Sequence, residues 1–134
     1  MPNTLVREKI RKKIVQTELR EELARSVKPH GQVTVHIVFP AQSDGYYLRI
    51  WKSTFLYSRS SEHRSRLMHV ENITIAPYWT EVLPHQTHTF TLFFEGFPAD
   101  VLLFDLTEEI PEPGGFHYAN IVRNEQDVYH VTIE

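Results

Sequence analysis

Cysteine is absent from the 134-residue chain, so neither a disulfide nor a thiolate metal site can form, and no cysteine nucleophile exists. Long apolar runs are absent as well: no stretch of about eighteen apolar residues occurs, which predicts that no segment crosses a membrane. The basic start of the chain is not followed by an apolar segment, so we expect no secretory signal. These absences together favour a cytoplasmic protein.

Charge is unevenly distributed along the chain, although the formal net charge is only −3. Eight basic and four acidic side chains lie between Arg7 and Lys28, and five basic and one acidic between Arg49 and Arg66. From residue 67 to the end, eleven acids stand against the single base Arg123. This segregation favours charge-matched docking within the chain or between chains. It does not resemble a nucleic-acid binder, in which basic residues dominate the whole domain.

Residues 4–27 are predicted to form an amphipathic helix, because apolar side chains recur four residues apart, at Ile10 and Ile14 and again at Val15, Leu19, Leu23 and Val27. Asn3 or Thr4 can cap its start, and Pro29 ends it. Basic residues come first on its polar side and acids later, which opposes the helix dipole. We therefore expect one domain, 1–134, with a helix at 4–27 and a β-sheet part at 32–134.

The predicted helix must bury its apolar stripe, and two arrangements remain open. It can pack on its own sheet, or two copies can pair antiparallel across a dimer. The second arrangement sets basic residues of one copy against acids of the other, namely Arg11, Lys12 and Lys13 against Glu18, Glu21 and Glu22. The second arrangement underlies our prediction of a protein partner or self-association through the helix. It is not a membrane-surface helix, because it lacks tryptophan and phenylalanine and carries several acids.

From Gln32 onward the apolar period changes from helical to two, which is typical of strands. Turn-forming residues separate about seven such segments: QVTVHIVF, YYLRIWKSTFLYS, LMHVENITIAP, THTFTLFFEGF, DVLLFDLTEEI, FHYANIV and VYHVTIE. The second segment is predicted to be one long strand covered on both faces. The pattern predicts a mainly β protein, built as an antiparallel β-sandwich or a barrel.

The region FTLFFEGFP…FDLTEEIPEPGGF resembles one that recurs in small uncharacterised bacterial proteins. The shared elements are an FTLxF strand, a Gly-x-Pro turn at Gly96 and Pro98, and an FDLxE strand that contains Asp105 and Glu108. A looser likeness extends to immunoglobulin-like sandwich domains of larger bacterial proteins. The resemblance covers about the last 65 residues. It implies an immunoglobulin-like β-sandwich and no activity, because function depends on sites rather than folds.

Histidine is frequent, with eight residues in the chain. A zinc or iron site needs at least three convergent imidazole or carboxylate ligands. The candidates are His36, His85, His88 and His130, of which His85 and His88 converge only if Pro84 begins a tight turn. The cupin and HExxH patterns are both absent. We therefore predict surface or half-buried histidines and no cofactor, with a small metal-binding protein or enzyme as the alternative.

The acidic loop EEIPEPGGF is a second candidate site, because Glu108, Glu109 and Glu112 offer the oxygen ligands that calcium prefers. The EF-hand spacing is missing, and Pro113-Gly114 is typical of a type II turn. A rigid exposed turn is the expected structure. It could also serve as a recognition tip, because contacts with ligands concentrate on loops held by a rigid scaffold.

Basic and aromatic residues alternate between Arg49 and Arg66, as in single-strand nucleic-acid grooves. Trp51 and Phe55 can equally pack a sheet face, and the acidic C-terminal half repels phosphate. No template for catalysis matches the sequence, whether a nucleophile elbow or a phosphate-binding glycine loop. The sequence therefore predicts a non-enzymatic binding or protein-interaction module, with Trp51 as a candidate contact residue.

Overall fold

The computed structural model describes residues 31–133, and this part of the chain is mainly β. Nine strands follow in order: β1 Gln32–Phe39, β2 Tyr46–Leu48, β3 Thr54–Ser58, β4 Arg64–Glu71, β5 Thr80–Val82, β6 His88–Glu95, β7 Leu103–Glu108, β8 His117–Val122 and β9 Val128–Thr132. The predicted helix at 4–27 lies outside the described residues. Within 31–133, no helix has the length and apolar character needed to cross a membrane.

Seven strands form one sheet in the order β8-β7-β3-β4-β6-β1-β9, and β2 pairs with β5 in a separate two-stranded sheet. All named strand pairs are antiparallel except β1 and β9, which run parallel, with His36 opposite His130. The expectation of a wholly antiparallel sheet is therefore wrong at this edge. Alternation shows which face of a strand is buried, but it carries no information on the direction of its partner.

The seven-stranded sheet curls around one apolar core. Alternate residues of β1 and β6 face inward and are fully or almost fully buried, namely Val33, Val35, Ile37, Phe90, Leu92 and Phe94. Phe104 of β7 and Tyr129 of β9 meet edge to face, with ring centroids 5.0 Å apart. Because β7 and β9 are far apart in the strand order, their contact requires that the sheet fold back on itself.

Strand β4 joins the two parts of the curled sheet. Its first residues pair with β3, and its residues from Leu67 onward pair with β6, with a register shift between Leu67 and His69. The strand ends at Glu71, because Asn72 takes a left-handed conformation with φ 65°. The predicted strand LMHVENITIAP is therefore shorter than expected at its C-terminal end.

The segment YYLRIWKSTFLYS was expected to form one long strand, and this prediction is wrong. It forms two strands, which belong to different sheets. Side chains take over the hydrogen bonds of the backbone at the break. The N–H of Trp51 donates to Oε2 of Glu108 at 3.1 Å, and the hydroxyl of Thr54 donates to the carbonyl of Trp51 at 2.7 Å. Such bonds compete with strand pairing, so the chain turns here from β2 toward β3.

Ion pairs connect the basic segment 49–66 with the acidic C-terminal half of the chain. Arg59 contacts Asp105 at 3.0 Å, and Arg66 contacts Glu95 at 2.7 Å. The charge-matched docking expected from the sequence is therefore present within the described residues.

Candidate functional site

A cleft of about 420 Å³ is bordered by the β2–β5 sheet, the ends of β1 and β7, and the loop that joins β7 to β8. Its most deeply buried lining is apolar and consists of Ile50, Phe90 and Ile133, each at most 8% exposed. Ligand pockets in proteins commonly measure about 300–1,000 Å³ and combine an apolar lining with a few polar groups. The cleft fits both criteria.

Two exposed aromatic side chains form the rim of the cleft. Tyr47 is 61% exposed and Trp79 is 55% exposed, and their rings meet edge to face with centroids 6.5 Å apart. In β2 the neighbours Tyr46 and Leu48 are half-buried, so alternation directs Tyr47 outward. Trp79 directly precedes β5, the partner of β2. The small sheet thus places both rings on the same side of the cleft.

Arg49 is held against both indole rings of the chain. Its guanidinium carbon lies 3.8 Å from the ring centroid of Trp79 and 5.4 Å from that of Trp51, and Nη1 donates to the carbonyl of Pro77 at 3.2 Å. Such cation–π contacts stabilise by about 0.5–2 kcal/mol and hold the guanidinium in one place. Among residues 31–133, no carboxylate lies within ion-pair distance of Arg49. Within the same residues, the carbonyl of Pro77 is the one hydrogen-bond acceptor of Arg49, so its other N–H groups have no partner in the described part of the chain.

Glu108, at the end of β7, supplies a carboxyl group to the same cleft and is only 9% exposed. Burial raises the pKa of this carboxyl above its usual range, against the opposing effects of the backbone N–H groups of Trp51 and Phe116 and the charge of Arg49. A carboxylate accepts hydrogen bonds, and a protonated carboxyl also donates one. Glu108 can therefore serve either role toward a polar group in the cleft.

The β7–β8 loop closes the cleft opposite the aromatic rim. Gly114 has φ 108°, as the predicted type II turn requires at this position. A Cβ atom at Gly115 would lie 2.3 Å from the carbonyl oxygen of Glu108, so only glycine lets the loop approach the end of β7. The hydroxyl of Ser53 donates to the backbone carbonyl of Glu109, and the hydroxyl of Tyr57 donates to its carboxylate. These two hydrogen bonds hold the start of the loop against β3 and the residue before it.

The four histidines predicted as metal candidates do not form one group. His36 and His130 stack on neighbouring strands with ring centroids 5.0 Å apart, and Nδ1 of His36 is 2.9 Å from the hydroxyl of Thr91. Nε2 of His88 contacts the carbonyl oxygen of Asn72 at 2.7 Å. His85 is exposed in a turn after Pro84, with φ 65°. Within 31–133, no three histidine, aspartate or glutamate side chains are grouped to hold a metal ion.

The three acids considered as calcium ligands have separate environments. Glu108 is buried in the cleft, Glu109 accepts a hydrogen bond from the hydroxyl of Tyr57, and Glu112 lines the cleft from the exposed turn. The loop therefore contributes to the cleft wall, as the recognition-tip alternative expects of a scaffolded loop.

The basic–aromatic segment 49–66 is divided between two parts of the molecule. Arg49 and Trp51 line the cleft, whereas Phe55 and Tyr57 lie on β3, where the guanidinium of Arg64 stacks 4.2 Å above Phe55. Arg59 and Arg66 contact the carboxylates described above. The basic charge of this segment is thus partly compensated, which weakens its attraction for phosphate.

Of the predicted interaction residues, Trp51 is half-buried in the cleft wall. The six charged residues of the predicted helix lie outside the described residues, namely Arg11, Lys12, Lys13, Glu18, Glu21 and Glu22. Sequence reasoning missed Tyr47 and Trp79 as site residues. The position of Trp79 could have indicated its role, because it lies outside every predicted strand, between Pro77 and Pro84. A tryptophan at such a position is not expected to be buried in the core.

Comparison of the chain with models of protein families, with curated proteins and with solved structures found no match. The assignment of function therefore depends on the geometry of the cleft.

Proposed function

We propose that the chain is a non-enzymatic binding module, and that its ligand occupies the cleft between the Tyr47–Trp79 rim and the β7–β8 loop. The observation that carries this proposal is the position of Arg49, stacked on two indoles beside a buried carboxyl with which it forms no ion pair. Such a pair of groups keeps its hydrogen-bonding capacity for an incoming molecule.

The residue types of the cleft support binding. Tryptophan, tyrosine and arginine are the side chains that most often dominate binding energy at recognition sites. Here they are held by contacts within the described chain, so little conformational entropy is lost when a ligand arrives. The proposed fold is an immunoglobulin-like β-sandwich, as the resemblance to small bacterial proteins implies. The Phe104–Tyr129 contact across the curled sheet supports this finer description.

Binding at the cleft can be followed directly, because the chain has only two tryptophans and both line the cleft. In an ¹H–¹⁵N spectrum of the full chain, the two indole N–H signals report on this site. We expect a saturable shift of at least one indole signal with one class of a panel of neutral sugars, dipeptides, nucleotides and quaternary amines. If no class produced such a shift, the proposal would be wrong.

A matched pair of variants locates the response. Trp79→Ala removes part of the rim, whereas Tyr78→Ala removes a neighbouring aromatic ring that is 72% exposed but does not line the cleft. We expect affinity to fall by about tenfold or more in Trp79→Ala, as for a central aromatic contact, and to change less than about twofold in Tyr78→Ala. Equal losses in both variants would contradict binding at the cleft.

A further inference from the structure

We propose that the ligand of the cleft is a neutral carbohydrate, in the form of an oligosaccharide; this inference rests on the proposed function. A sugar ring combines a face of C–H groups with hydroxyl groups around its edge. The cleft combines exposed aromatic rings with a guanidinium and a carboxyl group.

The aromatic rim is suited to stacking. The ring faces of Trp79 and Tyr47 carry partial negative charge, so they attract the polarised C–H groups of a sugar face. Arg49 lies over the ring of Trp79, yet more than half of the surface of Trp79 is exposed. The edge-to-face arrangement with Tyr47 sets a second ring at an interplanar angle of 72° to the first. A ring-shaped ligand can therefore contact both.

The cleft holds groups of both charges, so an ionic ligand of either sign is repelled by at least one of them. A cationic ligand meets the guanidinium of Arg49, which covers one face of the Trp79 indole and repels a second cation there. An anionic ligand meets the carboxyl groups of Glu108 and Glu112, both of which line the cleft. Like charges brought together during binding cost several kcal/mol in general, so they act as selection against such ligands. A neutral ligand avoids both penalties.

The polar groups of the cleft match a diol. Arg49 offers only donors, and an ionised Glu108 offers only acceptors. Each hydroxyl of a sugar both donates and accepts, so two adjacent hydroxyls can satisfy Arg49 and Glu108 together. Deeply buried polar groups that lose water without gaining a partner are costly, and this requirement favours a hydroxylated ligand over an apolar one.

The extent of the site favours an oligosaccharide over a single sugar. Arg49 and Trp51 are shared with a second groove of about 440 Å³, which continues along Lys52, Ser53, Ala76 and Pro77. The two grooves thus have a common wall. A chain of sugars can contact Trp79 in the first groove and continue past Trp51 into the second.

The test is a titration of the full chain with neutral hexasaccharides of glucose, mannose and N-acetylglucosamine. Binding is measured by calorimetry and by the shifts of the two indole N–H signals. An oligogalacturonate serves as the anionic probe, a glucosamine hexamer as the cationic probe, and a proline-rich decapeptide as the peptide probe. We expect saturable binding of at least one neutral hexasaccharide and weaker binding of both charged probes. Trp79→Ala should reduce this affinity about tenfold or more, and Tyr78→Ala less than about twofold.

The outcomes separate the two proposals. If a charged probe or the peptide binds at the cleft and no neutral hexasaccharide does, the carbohydrate inference is overturned and the binding function stands. If none of these probes shifts an indole signal, the carbohydrate inference is overturned, and the broader panel decides the binding function. Binding of a neutral hexasaccharide that is unchanged in Trp79→Ala also overturns the inference, because the sugar then binds elsewhere.

Discussion

Asp105 and Glu108 lie three residues apart on strand β7, and both are nearly buried, but they have opposite relations to the arginines beside them. Asp105 accepts hydrogen bonds from the backbone N–H of Asn120 at 2.8 Å and from Nη1 of Arg59 at 3.0 Å. Glu108 accepts the N–H of Trp51 and shares the cleft with Arg49 without an ion pair between them. Both oxygens of Asp105 are used by the fold, whereas Glu108 lines the cleft and has no ion pair with Arg49.

Their pKa values differ accordingly. Burial by itself raises the pKa of Asp105, but the N–H of Asn120 and the guanidinium of Arg59 together hold it below its usual range. For Glu108, burial outweighs the same kinds of favourable contact, and the pKa is raised. The difference shows that a nearby arginine holds down the pKa of a buried carboxyl here only where the two groups are in contact.

The largest effect is expected for Asp105→Ala, which leaves the N–H of Asn120 and the guanidinium of Arg59 without their acceptor. We expect a loss of about 2–3 kcal/mol in the free energy of unfolding, measured with urea at neutral pH. Asp105→Asn is the control, since it keeps an oxygen acceptor and should lose less. A loss below about 1 kcal/mol in Asp105→Ala would contradict a structural role for this carboxylate.

Gly115→Ala should come next, with a loss of about 2 kcal/mol, because its Cβ would lie 2.3 Å from the carbonyl oxygen of Glu108 and the loop must move. The displacement opens the cleft at Glu108 and leaves Asp105 in place. The pKa of Glu108 should then fall toward its ordinary value, as a ¹³C-detected titration can measure. Glu112→Ala, on the exposed turn, should change stability by less than about 0.5 kcal/mol. If Gly115→Ala were as stable as the parent protein and the pKa of Glu108 were unchanged, the close packing of Gly115 against Glu108 would be contradicted.

Glu108→Gln should have the opposite sign from Asp105→Ala. Because the pKa of Glu108 is raised on folding, the folded protein binds the proton more tightly than the unfolded chain. Stability therefore falls as pH rises from the ordinary glutamate pKa through the folded one. The glutamine variant removes this dependence, so we expect it to be about 1 kcal/mol more stable at neutral pH and to lose that advantage in acid. A constant difference from pH 4 to 8 would contradict the raised pKa.

Arg59→Ala should have the smallest effect, below about 1 kcal/mol, because the side chain of Arg59 is 50% exposed and water screens its ion pair with Asp105. The comparison to make is with Asp105→Ala under the same urea conditions. If both variants lost the same amount, the ion pair rather than the hydrogen bond to Asn120 would account for the role of Asp105.

Three strands of the large sheet were predictable from local pattern alone. Alternation of apolar residues predicted β1, β6 and β9 with nearly the observed bounds, because one face of each strand is buried. The break in the segment between β2 and β3 was not predictable in this way. It depends on Glu108, which lies 57 residues after Trp51 and supplies the acceptor that replaces a strand partner.

The cleft was only partly predictable, for a related reason. The sequence indicated Trp51 as a contact residue and the EEIPEPGGF loop as a possible recognition tip, and both line the cleft. Tyr47, Trp79 and Glu108 are about thirty residues apart from one to the next. Their meeting depends on the pairing of β2 with β5, two strands of three residues each. Segments that short have almost no periodic signal.

The parallel pairing of β9 with β1 has a consequence for the order in which the molecule can be completed. The ninth strand lies beside the first, so one edge of the large sheet is finished only when residues 128–132 have left the ribosome. Until then, the backbone of β1 has an open edge on one side, which is a site for wrong pairing with other chains. Productive folding of this domain therefore follows synthesis of its last strand, and early termination before Val128 leaves a product prone to aggregate.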